Sequence, residues 1–353
     1  MKSTKNKKKL IITILAALPT IGIATVTAAI LAYDSIYSRY DRPNYDLVLG
    51  EYYYERVKEE LPRQELYYFV NDTRLRGYYY KSDQEKGLVV ISHGLHAGGD
   101  DYLPIIKYLV KNGYNVFSFD NTGIYDSDGE NAVGMCQAII DLEGTINYIK
   151  QESMFSNLPI FLLGHSWGAY AVTSVLELCD NIKGVAAIAP MNNGCKMMVD
   201  KAEEYVGKIG TVPGPIFSIY QKLLFGKYVN YNGVNGINSV NIPVLIAHGV
   251  EDKVINFEKQ SIIAYEDEII NTNVQYYIGL GLQSGHDTIW HSIEAIAYQK
   301  KVESEIKYLE LKKGKELTKE ELIDYYSTIN HELYSAVNEE LMNQIIEMFD
   351  SQI

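Results

Sequence analysis

The sequence predicts an α/β domain: a mostly parallel sheet covered by helices on both faces. Three observations carry that prediction. From residue 65 onward, short β-rich runs alternate with stretches of helical spacing, the pattern of strand–helix–strand crossovers. Several runs, Gly87–Ser92 and Pro159–Leu163 among them, are apolar or small almost throughout, as strands buried on both faces must be. The chain is 353 residues long and 47% hydrophobic, enough to fill a large core.

The elements follow in order. Lys2, Lys5, Lys7, Lys8 and Lys9 open the chain with no acid among residues 1–9. Leu10 to Ala32 then carries no charge. As a helix it would span about 34 Å, enough for a hydrocarbon core of about 30 Å. Pro19 and Gly22 interrupt it, which membrane helices tolerate. The lysines before it put the N-terminus in the cytoplasm and the body outside. The expectation is a signal-anchor over 10–32 with an extracytoplasmic domain. Cleavage near Thr27-Ala28-Ala29 and secretion is the alternative.

Residues 33–62 are polar and Tyr-rich and read as a linker. Glu65–Val70 and Leu75–Tyr80 flank Asn71-Asp72 and predict a hairpin. Strands follow at Gly87–Ser92, Tyr114–Asp120, Pro159–Leu163, Gly184–Ala189, Pro243–His248 and Val274–Ile278, bringing the sheet to eight. Helices are predicted over Tyr102–Asn112, Gly134–Lys150 and Ala169–Leu178. Residues 191–241 are too long for a simple crossover. They predict a small helical cap, with helices over Val199–Val206 and Ile216–Leu224. The main domain is thus read as 63–300, and 301–353 as a helical extension. In that extension Thr318-Lys319-Glu320-Glu321 forms a capping box.

Composition narrows the function. Setting the five N-terminal lysines aside leaves 27 of 32 basic residues against 45 acids, so the body is near −18 and repels nucleic acid. Cys136, Cys179 and Cys195 have no metal-ligand spacing and, being three, suggest no disulfide framework. Tyr52–Tyr54 and Tyr78–Tyr80 read as strand and surface packing rather than as a carbohydrate platform.

The chemistry-bearing string is Gly164-His165-Ser166-Trp167-Gly168, directly after the apolar strand and before a small-residue helix start. A serine on a sharp strand-to-helix turn needs small neighbours so that strand and helix can approach. The turn also sets it at a helix N-terminus, where amides and the dipole favour a developing oxyanion. A hydroxyl at neutral pH needs a base. His286, after the last strand and beside Gly285, can take and return the proton, and Asp252 can hold the imidazole tautomer.

These strings resemble the α/β-hydrolase family. Gly164–Gly168 looks like its nucleophile elbow, and Val89–Leu95 like its oxyanion strand with the His93-Gly94 pair. Pro243–Asp252 resembles the acid strand and loop, and Ser284–Asp287 the histidine loop. Asp120–Ser127 resembles the D-x-R-G-x-G-x-S turn, with Asn121 and Thr122 in place of the pair that includes arginine and Tyr125 in place of a glycine. The resemblance spans about 65–300 and is nearest to the monoacylglycerol-lipase and serine-aminopeptidase branch. It implies a Ser166–Asp252–His286 triad, with the backbone amides of Leu95 and Trp167 as oxyanion donors.

Each role has a rival. Glu251 adjoins Asp252, and His291 lies on an expected helix face near His286. His93, His165 and His248 are read as local hydrogen-bonding groups. The implied function is hydrolysis of a small or lipid-like carboxylic ester through an acyl-serine. Cleavage of an amide as a serine aminopeptidase is the first alternative, for which Asp200, Glu203 and Glu204 of the cap could meet a substrate amine. A non-catalytic, membrane-tethered binding protein is the second. No metal or cofactor is expected, since there is no H-E-x-x-H string, Cys/His cluster or phosphate loop.

Overall fold

The computed structural model describes residues 22–206 and 213–353. Eight strands form one sheet: β1 Arg63–Val70, β2 Thr73–Tyr80, β3 Leu88–Ser92, β4 Asn115–Asp120, β5 Ile160–His165, β6 Ile182–Ile188, β7 Val244–Gly249 and β8 Val274–Gly279. Their order is β1-β2-β4-β3-β5-β6-β7-β8. Strands β3 to β8 run parallel, while β2 pairs antiparallel with both β1 and β4. The sheet is therefore mixed, with the predicted hairpin on one edge. The register sets Gly164 of β5 between Ser92 of β3 and Ala187 of β6, so three strand ends converge on the elbow.

Helices cover both faces, as a parallel sheet requires. One face carries α3 (Gln137–Gln151) and α4 (Trp167–Ser174) through Ile139, Leu142, Ile146, Ala169 and Val172. The other carries α2 (Leu103–Lys111) and, from the far end of the chain, α11 (Glu339–Asp350). Leu341, Met342, Ile345, Ile346, Met348 and Phe349 of α11 are buried. At about 1.5–3 kcal/mol each, that face contributes on the order of 10 kcal/mol, so the C-terminal segment completes the core. Before it come α8 (Ile293–Lys313), α9 (Lys319–Tyr326) and α10 (His331–Ser335). The predicted capping box opens α9, with Thr318 accepting from the Glu321 amide. Between β6 and β7 the cap region holds α5 (Gly194–Val206), α6 (Pro213–Phe225) and α7 (Gly233–Asn238).

The expected membrane segment is only partly within the described residues, since 10–21 lie outside them. Residues 22–36 are helical (α1). Ala29 and Tyr33 of α1 are buried in the core, and Tyr33 packs edge-on against Phe217 and Tyr220 of α6 at 5.3 Å each. The Tyr220 hydroxyl donates to Asp34 at 3.0 Å. Among the described residues no helix is long and apolar enough to cross a membrane. Within the described part of the uncharged run only Ala29 is buried, while Ile23, Val26 and Leu31 are exposed.

Candidate active site

The elbow is built as its glycines suggest. β5 ends at His165, α4 begins at Trp167, and Ser166 between them has φ 56° and ψ −114°. That left-handed backbone is uncommon for a side-chain-bearing residue and costs about 1–3 kcal/mol, which the surroundings must hold. Two clamps do so: Ser166 N–H donates to the Ile188 carbonyl at 2.8 Å, and Tyr170 N–H donates to the Ser166 carbonyl at 3.0 Å. A Cβ on Gly168 would lie 1.9 Å from the Ser92 carbonyl oxygen, and one on Gly164 would lie 2.4 Å from the Gly168 oxygen.

The three residues expected to act together meet. Ser166 Oγ is 2.9 Å from His286 Nε2, and His286 Nδ1 is 2.7 Å from Asp252 Oδ2. An ionised carboxylate only accepts, so Nδ1–H donates to Asp252 and Nε2 is left to accept from the serine. Asp252 is buried, yet its carboxylate receives four donors. Oδ1 takes the amides of Val254 and Ile255 at 2.7 and 2.8 Å. Oδ2 takes His286 and also His248 Nε2 at 3.1 Å. Burial pushes this acid upward. The hydrogen bonds from His248 and His286 and the His286 charge outweigh it and hold Asp252 well below the usual carboxylate range. The rival Glu251 instead receives the Ser284 hydroxyl at 2.9 Å. His291 lies not on a helix but in a bridge to Val337, beside the Tyr52 hydroxyl.

The amides of Leu95 and Trp167 have no acceptor among the described residues. The neighbouring Gly94 amide is occupied, donating to the Tyr102 hydroxyl at 2.9 Å. That hydroxyl in turn sits 2.9 Å from His165 Nδ1. The His286 carbonyl, which can only accept, lies 3.3 Å from His165 Nε2, so Nε2 carries the proton and Nδ1 accepts from the Tyr102 hydroxyl. One hydrogen-bonded chain thus ties the Leu95 loop, the elbow and the His286 loop together. His93 makes a parallel tie: Nδ1–H donates to the Gly94 carbonyl at 2.7 Å and Nε2 accepts the Asn121 amide at 2.9 Å. Burial pushes both His93 and His165 down to about 4, so both are neutral linkers at neutral pH.

The loop that departs from the family pattern is completed from elsewhere. Arg42, from the segment read as a linker, bonds Asp100 at 2.7 Å and Asp126 at 2.9 Å, and lies 3.9 Å from Asp120. Its guanidinium sits over the Tyr125 ring at 5.0 Å. Asp120 accepts the Gly99 amide and the Tyr78 hydroxyl, and burial pushes it up to about 7 against the pull of Arg42. Arg42, Tyr102 and the His248 contact to Asp252 were not identified from sequence. For His248 the signal was available, since it lies four residues before the acid.

His165, His286 and Asp287 offer ligand atoms within 4.8 Å of one another. A cation there would have to take the His286 lone pair that faces Ser166, so the group fits hydrogen bonding better than metal binding. A surface cavity of about 350 Å³, lined by residues including Phe69, Glu143 and Tyr228, contains none of the three central residues. Of the cap acids, Glu203 and Glu204 have side chains outside the described residues.

Comparison with known proteins agrees with this fold. The family described as "Serine aminopeptidase, S33" matches residues 83–229, which include the elbow and the Leu95 loop but not Asp252 or His286. The Escherichia coli K12 protein YfhR is 25% identical over 53% of this chain and 61% of its own length. Human monoglyceride lipase is 26% identical over 38% of this chain and 46% of its own. The chain thus spans about three-fifths or less of these relatives. The Pyrococcus furiosus esterase Pf2001 superposes with a TM-score of 0.52 at 20% identity, over 71% of this chain and 90% of that one, a likeness of fold. The elbow, the order of the strands and these matches together support an α/β hydrolase, similar to the S33 serine aminopeptidases and monoglyceride lipases.

Proposed function

We propose that the chain hydrolyses a carboxylic ester through an acyl-serine intermediate on Ser166. The observation that carries this reading is the continuous relay from Ser166 Oγ through His286 to Asp252, at 2.9 and 2.7 Å. His286 Nε2 takes the serine proton as Oγ attacks the substrate carbonyl carbon. The oxygen's negative charge is received by the Leu95 and Trp167 amides, each worth about 3 kcal/mol in such sites. His286 then gives its proton to the leaving alcohol, and a water repeats the sequence to free the acid. Asp252 stays ionised and stabilises the imidazolium.

Reaction with a fluorophosphonate probe tests the nucleophile. Labelling of the wild type and none of Ser166→Ala is expected. No labelling, or labelling that persists in Ser166→Ala, overturns the proposal. The ester preference draws on the lipase and esterase relatives, and the S33 description supports an aminopeptidase as the second reading. Comparing p-nitrophenyl esters with aminoacyl anilides separates them: faster anilide turnover in kcat/KM selects the peptidase. The extracytoplasmic, membrane-anchored placement is likewise a proposal, resting on the lysine cluster and the uncharged 10–32 run. Recovery of the intact N-terminal peptide only in the soluble fraction overturns it.

A further inference from the structure

We infer that Cys136 and Cys195 are a redox site: a disulfide between them staples the root of the cap to the segment that braces the nucleophile elbow. The two sulfurs are 3.3 Å apart, although the residues lie 59 positions apart in sequence. A disulfide needs about 2.05 Å, so the pair closes by little more than 1 Å. The residues just before them are also in close contact. Gly194, just before Cys195, packs so tightly on Met135, just before Cys136, that a Cβ on it would lie 2.2 Å from Met135 Cγ. The absent side chain at Gly194 thus lets the Met135 side chain pack against the segment that carries Cys195.

The place matters as much as the distance. Cys195 is in the first turn of α5, where the chain leaves β6 for the cap. Cys136 is the N-cap of α3, and the Met135 carbonyl beside it accepts the Trp167 indole N–H at 2.7 Å. Trp167 is the residue after Ser166. A Cys136–Cys195 bond therefore joins the cap directly to the loop that fixes the elbow.

Cys136 is buried and Cys195 partly exposed, so oxidation enters at Cys195. A small-molecule disulfide, such as oxidised glutathione, is the oxidant. The Cys195 thiolate attacks one glutathione sulfur, the glutathione S–S bond breaks, and one glutathione leaves and takes up a proton. The Cys136 thiolate then attacks the Cys195 sulfur of the mixed disulfide, and the second glutathione leaves as thiol. Two protein thiols lose two electrons and two protons, and one glutathione disulfide becomes two thiols. The Cys136 sulfur contact and burial hold the Cys195 thiol well above its ordinary range, so the first step is slow in the folded protein. Closure is fastest while the chain folds.

The test uses the full chain, refolded from urea in a glutathione redox buffer and, separately, with excess dithiothreitol. Free thiols are counted by alkylation under denaturing conditions and mapped by peptide mass spectrometry. The oxidised sample should keep one thiol, at Cys179, and yield a linked Cys136–Cys195 peptide. The melting temperature should rise by about 3–6 °C, the gain for closing a loop of this length in a chain of this size. Cys179→Ser should lose both remaining thiols on oxidation, and Cys195→Ser should lose none. Three thiols surviving in the oxidised wild type, a bond that includes Cys179, or a linked peptide with no rise in melting temperature each overturn the inference. None of these readouts depends on activity, so failure here leaves the Ser166 proposal standing, and the reverse.

Discussion

Replacing Asp252 with asparagine separates the acid's charge from its shape. Asp252 Oδ1 is fixed by two backbone amides at 2.7 and 2.8 Å. Amides can only donate, so the asparagine must keep its oxygen there and turn its NH2 toward His286 Nδ1 and His248 Nε2. Both histidines now present N–H groups to that position. The His286 contact survives only if Nδ1 becomes an acceptor, which moves the proton to Nε2 and points a donor at Ser166. The serine then has no base. Loss of the correct tautomer with geometry kept costs about 10⁴ in kcat in such triads, or about 5 kcal/mol of barrier. KM should change little, because no group expected to bind substrate is altered. The assay is turnover of p-nitrophenyl butyrate by wild type and Asp252→Asn, with near-ultraviolet circular dichroism showing both folded. The wild-type pH profile adds a second check. A depressed carboxyl contributes stability that is present above its unfolded value near 3.9 and lost only as pH falls through the lower folded value. Asp252 is therefore ionised throughout pH 5–8, and no limb of the activity profile in that window belongs to it. A folded Asp252→Asn enzyme keeping more than about a tenth of wild-type kcat would refute the relay.

Two further substitutions probe the frame around the relay, and a third serves as a control. Gly168→Ala places a methyl 1.9 Å from a backbone oxygen that cannot rotate away, so it should cost about 3 kcal/mol, or about 4 °C of melting temperature in a chain this long. Gly22→Ala, with nothing within 4 Å among the described residues, should shift it by no more than about 1 °C; equal melting temperatures for the two variants would contradict the close approach. Tyr102→Phe strands the Gly94 amide and His165 Nδ1, a penalty of about 1–3 kcal/mol. If Tyr102 positions the Leu95 loop, kcat should fall about tenfold at unchanged KM; a lower melting temperature with unchanged kcat would make it a purely stabilising residue.

What the sequence revealed was what is encoded locally. The strand–helix alternation, the hairpin turn at Asn71-Asp72 and the elbow are each set by residues within a few positions of one another. The sheet was legible as parallel in its middle because those strands are apolar on both faces; its antiparallel edge at β2 and β4 is a long-range pairing with no local mark. Long-range neighbours were likewise hidden. Nothing near Arg42 announces that it inserts among Asp100, Asp120 and Asp126, some 58 to 84 residues away. The same holds for Cys136 and Cys195, whose odd-numbered company argued against any pairing. The uncharged N-terminal run illustrates a different limit. Hydropathy records the avoidance of water but not what supplies the cover: in α1 protein buries Ala29 of the run and leaves Ile23, Val26 and Leu31 exposed.

The histidines show how such a site is kept single-purpose. Four of them, His93, His165, His248 and His286, come from four different segments that converge at the strand ends. Any of them might pass for a base in the sequence. The structure distinguishes them by what holds their second nitrogen. His93 spends both nitrogens on backbone groups, His165 spends one on Tyr102 and aims the other at a carbonyl, and His248 Nε2 is committed to Asp252 and the Ile255 carbonyl. Only His286 joins a carboxylate on one side to a hydroxyl on the other. Keeping His93 and His165 neutral matters as well: a second cation 5.0 Å from the His286 ring would oppose the imidazolium that forms as Ser166 attacks. Burial thus does two things here with one physical cause. It silences His93 and His165 as acids and bases, and it turns them into rigid hydrogen-bonded braces for His286.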